Sequence, residues 1–146
     1  MNTDLIIRIC WMTIVSTTLM TAFSYYFSWL RNKQFKEPEI LNELLWRLRL
    51  IKGSGGKNHP AGWTIHYVVG FIFVIAYHIF WNKTEYEPTF GTSILLGALS
   101  GVIGVVGWRI TFGTHPDPPT LDFKEYYVQL LIAHIIFGAG AYLGNL

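Results

Sequence analysis

Charge is scarce in this sequence. Asp, Glu, Lys and Arg make up 14% of its 146 residues, against about 25% in an ordinary soluble domain. The net charge of +2 leaves no basic footprint for a nucleic-acid partner. Cysteine is nearly absent: Cys10 alone excludes an intrachain disulfide and any cysteine-rich metal motif. There is no G-x-S-x-G, and no Ser beside an obvious His and acid, so nucleophilic catalysis has no support. Lys52 to Pro60 looks at first like a phosphate-binding loop. Its spacing is wrong, because only two residues separate Gly53 from Gly56 and Asn58 follows Lys57 where Ser or Thr is needed. It reads as a flexible linker, and His59 within it as a solvated side chain.

What remains is 51% hydrophobic and 16% aromatic, with a mean hydropathy of +0.34. The apolar residues gather in four runs, about 5–30, 61–81, 90–112 and 123–143. At about 1.5 Å per residue each is long enough for the ~30 Å of bilayer hydrocarbon. The spacing predicts an all-α, polytopic membrane protein: one domain over residues 1–146, with four transmembrane helices in an antiparallel bundle. The first run is longer than a signal-peptide core and is interrupted by Arg8, so it reads as an uncleaved span.

Helical periodicity gives each run a face. Cys10, Thr13, Thr17, Thr21, Ser24 and Ser28 project within about 40° of one line, a stripe suited to helix packing or to bonds with the i−4 carbonyls. Between the first two runs, residues 38–51 form an amphipathic segment. Pro38 suits its first turn, and Glu37, Glu39 and Glu43 suit the positive end of its dipole. Ile40, Leu41, Leu44, Leu45, Leu48 and Ile51 supply its apolar face, as expected of a helix lying on a membrane surface. In the third run Gly97 and Gly101 form a close-approach pair, and Gly140 and Gly144 form another in the fourth. These glycine faces suit a homo-oligomer. Thr120 is placed to cap the fourth helix.

Seven of the eleven Lys and Arg residues lie in 31–60. With four spans that loop shares a side with 113–122. The excess of positive charge puts both loops in the cytoplasm and both termini outside.

The chemistry-bearing residues are few. His66 and His134 sit within spans, and an unpartnered imidazole there is costly, so each is expected to find a hydrogen bond or a ligand. The sharper possibility is a haem or metal held by both rings, although their expected depths differ by several ångströms and no further ligand appears in the spans to complete a zinc site. Arg109 at the end of the third span, with His115 and Asp117 on the stiff Gly113–Pro119 loop, forms a second candidate. Arg109 is expected to snorkel to the headgroups or, in the functional alternative, to pair with Asp117 or with an anionic substrate. The favoured reading is a non-enzymatic membrane protein with a polar interior site. A small transporter or channel acting as an oligomer is the third class.

Gly62-Trp63-x-x-His66-Tyr67-x-x-Gly70, the glycine-rich third run, His115-Pro116-Asp117-Pro118 and Ala133-His134 together resemble small four-span bacterial inner-membrane proteins of unknown function. The resemblance covers most of Met1 to Leu143. It implies a bacterial inner membrane and a four-helix bundle, and it supplies no activity.

Overall fold

The structure is a computed structural model that describes residues 3–52 and 57–146. Gly53–Gly56, the centre of the expected linker, lie outside the described residues, as do Met1 and Asn2. The chain forms five helices: α1 (Thr3–Arg31), α2 (Glu37–Arg47), α3 (Pro60–Lys83), α4 (Phe90–Thr114) and α5 (Phe123–Asn145). All but α2 are long and apolar enough to cross a membrane. Broad apolar surfaces such as Ile7, Ile72, Ile103 and Ile110 face outward. In water this would be an aggregation surface, whereas in lipid it is the expected exterior.

α5 is the helix on which the others assemble. α1 packs along one side of it and α4 along the other, α3 leans on α1, and α3 and α4 scarcely meet. Glycine decides the two close contacts. A Cβ on Gly97 would stand 2.6 Å from the His134 carbonyl oxygen, and one on Gly140 would stand 2.6 Å from Ser16 Cα. Gly101 faces Leu131 and His134 of α5, and Gly144 faces Met12 of α1. Gly97, Gly101, Gly140 and Gly144, whose faces suggested an oligomer, each meet a neighbouring helix of the same chain, because α5 needs close approach on two sides at once.

The hydroxyl stripe of α1 is the face turned inward. Thr13, Thr17, Thr21, Ser24 and Ser28 are buried, together with Ser16. Thr13, Ser16 and Thr21 donate to the carbonyls of Ile9, Met12 and Thr17 at 2.6–2.8 Å. Such back-bonding lets a hydroxyl lie in an apolar interior with its donor satisfied. Cys10 departs from the stripe and is exposed.

α2 differs from the expected surface helix. It stops at Arg47, because Leu48 is the C-cap and Arg49 takes a left-handed φ of 59° that no helix continues. Its buried face, Ile40 and Leu44, packs on protein, with α3 as its main neighbour, while Leu48 and Leu50 are exposed. Asn42 fixes the contact. It is wholly buried, accepts from the Gly62 N–H at 2.7 Å, and donates to the carbonyls of His59 at 2.7 Å and Lys57 at 3.1 Å. His59 is no bystander either: it is the N-cap of α3, its Nδ1 accepting from Ala61 N–H at 3.1 Å. Replacing Asn42 by alanine strands a donor and two acceptors. We expect a loss of about 2–3 kcal/mol, read as a lower thermal midpoint and faster proteolysis between α2 and α3. Unchanged values on both counts contradict that role.

At the same end, the loop before α2 is tied to the start of α5. Lys33 donates to Asp122 at 2.6 Å and also to Glu125, which Arg31 engages as well. The hydrogen bond from Lys33 holds the Asp122 carboxyl below its usual range. Asp122, not Thr120, caps α5, accepting from Glu125 N–H at 3.2 Å. Its oxygen serves the cap and the Lys33 pair together, which Thr120 is not placed to do.

Candidate functional site

The scant contact between α3 and α4 leaves a cleft of about 300 Å³. Ile65, Val69 and Phe73 form one wall, and Ile103, Gly104 and Trp108 the other. His66 and His134 line it together. One end is pinned by the Tyr77 and Ser100 hydroxyls, 2.7 Å apart, which join α3 to α4. Leu41 of α2 stands at the other. Ile65, Val69 and Ile103 are exposed, so the cleft opens sideways onto the exposed apolar surface of α3 and α4. No Asp, Glu, Lys or Arg lines it among the described residues.

The hydrogen bonds fix the protonation of both rings. His134 Nδ1 lies 2.9 Å from the Leu130 carbonyl of its own helix. A carbonyl only accepts, so Nδ1 carries the hydrogen and Nε2 is a bare acceptor. Nε2 lies on the Gly104 side, where a Cβ on that glycine would stand 3.0 Å from it. The glycine leaves the nitrogen uncovered. Thr21 donates its hydroxyl hydrogen to Thr17, so His66 Nε2 must donate to Thr21 Oγ1, 2.9 Å away. His66 Nδ1 is then the second bare acceptor. The unequal depths expected for the two histidines do not separate them, since α3 and α5 bring both to one cleft.

Behind the cleft is a cavity of about 40 Å³, whose lining again includes His66 and His134 and adds Thr17 and Glu37. Glu37 is expected from the sequence at the positive end of the dipole of a surface helix. It is 1% exposed, held between α1 and α5. Ser24 donates to its Oε1 at 2.8 Å, Gln129 Nε2 lies 3.4 Å from the same oxygen, and Gln129 also donates to Ser24 at 2.7 Å. Burial pushes the Glu37 carboxyl up to about 7, against the pull of its backbone, Ser24 and Gln129 hydrogen bonds. Its Oε2 and the Thr17 hydroxyl oxygen have no partner among the described residues. Phe35, wholly buried against Phe27 and Tyr126, seals this corner from the loop side.

The second candidate does not assemble as expected. Asp117 pairs with Arg47 Nη1 at 2.9 Å, not with Arg109. His115 Nε2 donates to the Leu44 carbonyl at 3.1 Å, since its Nδ1 accepts from Asp117 N–H. Both residues fasten the 113–122 loop to α2. Arg109 is exposed and has no carboxylate within ion-pair reach among the described residues. The reason is reach: α2 lies over the loop and presents Arg47, already oriented by Glu43 at 2.7 Å. His78, expected near the far interface, meets Asn82 Nδ2 at 2.7 Å.

No group of three or more His, Cys, Asp or Glu among the described residues is arranged to hold a metal ion. The two imidazoles therefore meet without the further ligands that a zinc centre requires.

Sequence reasoning missed Glu37, Gln129 and Asn42. For Gln129 a signal was present. A lone amide inside an apolar run must find a partner, and here it finds Ser24 of the first run and Glu37 outside the runs.

No protein-family model matches this chain, and no curated protein and no solved structure matches it either.

Proposed function

We propose that this is a non-enzymatic, multi-pass protein of a bacterial inner membrane whose His66/His134 cleft binds a small ligand reached from the bilayer. Its four long helices form an antiparallel bundle, with both termini outside and residues 31–60 and 113–122 cytoplasmic. Contacts between the loops after α1 and α4, Arg47 with Asp117 and Leu44 with His115, support the antiparallel reading. The clustering of Arg8, His78, Asn82 and Asn145 at the opposite end supports it too. Positive charge concentrated in the first loop favours the cytoplasm for that side.

One observation carries the binding role: two buried imidazoles from different helices line one laterally open cleft, each with a ring nitrogen that no group among the described residues engages. A purely structural pair of histidines has no need of a shared opening. Purification in lipid nanodiscs followed by native mass spectrometry tests this. A small bound species is expected on the wild type. It is expected to disappear in His134→Phe, with the helical circular dichroism retained. The same bound species on both proteins contradicts the reading.

The two bare nitrogens also favour a second reading, axial ligation of a haem. That reading requires a visible absorbance band in the purified protein that His66→Ala and His134→Ala each abolish.

A further inference from the structure

We propose that the cleft selects an uncharged, lipid-soluble ligand whose head carries hydroxyl or N–H donors, a diol-like head being the simplest example. The inference rests on reading the cleft as a binding site and specifies what that site recognises.

The hydrogen-bond inventory comes first. The free ring nitrogens of the residues that line the cleft are His66 Nδ1 and His134 Nε2, and both are acceptors. The Trp108 indole N–H on the wall is a donor but bonds neither ring, so donors for the two nitrogens must come from the ligand. An ether or ester head offers only acceptors and leaves both ring nitrogens without a donor. A carboxylate or phosphate does the same and adds a charge. No Lys or Arg lines the cleft to balance it among the described residues. A quaternary ammonium has no N–H to donate and would leave water for a site without a lining carboxylate.

Shape and access come second. The cleft walls are aliphatic and aromatic, and its volume of about 300 Å³ lies at the small end of ligand sites. It therefore holds a head and the first part of a chain, with the rest of the chain lying in lipid. The inner cavity supplies an independent indication. Thr17 and Glu37 are each 1% exposed and line that cavity, and each keeps an oxygen without a partner. A head with two hydroxyls has a donor for a ring nitrogen and a second polar group for these oxygens.

The test uses full-length protein in lipid nanodiscs, with ¹⁵N-labelled histidine and four ten-carbon probes: 1,2-decanediol, its dimethyl ether, decanoate and decyltrimethylammonium. Accepting a hydrogen bond moves the resonance of a bare imidazole nitrogen. The expected result is a saturable shift of at least one such resonance with the diol, and binding at least about tenfold weaker for the dimethyl ether, which lacks both donors. Gly107→Trp fills the cleft mouth, where a Cβ at Gly107 meets nothing within 4 Å. It is expected to abolish the shift without disturbing the fold. Equal binding of diol and ether, or preference for a charged probe, at a site blocked by Gly107→Trp overturns the ligand class and leaves the site standing. No saturable binding, or binding that Gly107→Trp leaves intact, overturns the site itself.

Discussion

Glu37→Gln is expected to stabilise the protein at pH 8 and to leave it almost unchanged at pH 4.5. The carboxyl moves from 4.5 to about 7 on folding. Between those values the folded chain holds a proton that the unfolded chain has released. Stability therefore falls as pH rises through this window and levels off above it. A displacement of this size corresponds to about 3 kcal/mol. Glutamine keeps an oxygen for Ser24 and carries no charge, so its stability does not include this slope. Every other titrating group, the five histidines included, is common to both proteins and cancels in the difference. The measurement is the unfolding midpoint of each protein from pH 4.5 to 8. Parallel curves contradict the burial of Glu37.

Gly138→Ala is the second large effect, and a single methyl group produces it. A Cβ there meets the Ser93 carbonyl oxygen and stands 3.0 Å from Gly97 Cα. These are backbone atoms of a facing helix and cannot rotate away. α4 must move off α5, which costs the 1–3 kcal/mol typical of overpacking, about 3 where both partners are backbone. The movement also carries Gly104 away from His134, so the cleft changes shape. Gly113→Ala is the control, because a Cβ there meets nothing within 4 Å and a helical alanine gains up to about 1 kcal/mol over glycine. Thermal midpoints in one detergent compare the two. Equal midpoints contradict the close α4–α5 contact.

The helical class and the four apolar runs were legible because period and length are local properties. The inward face of α1 was legible for the same reason: hydroxyls repeating at helical spacing have few alternatives in lipid. His66 and His134 stood out because ionisable groups are rare in such runs. What the sequence did not disclose depends on which helix lies beside which. Gly97 and Gly140 advertise close contact equally well for a neighbour in the same chain or in another. Asp117 has two arginines to choose from, and the choice follows from α2 lying over the 113–122 loop. Glu37 sits in a segment whose pattern suits a surface helix, and its burial depends on Ser24 and Gln129, residues 13 and 92 positions away.

The most direct measurement of the central claim is photolabelling with a carbene-generating long-chain alcohol dissolved in the lipid of reconstituted vesicles, with the modified residues mapped by mass spectrometry. His134 is 5% exposed and lies on α5, between α4 and α1, so only a reagent that enters between α3 and α4 reaches it. Modification of His134 alongside Ile65 and Ile103 is the predicted result. Label confined to outward residues such as Ile79 and Leu99, with His134 untouched, contradicts an interior site open to the bilayer.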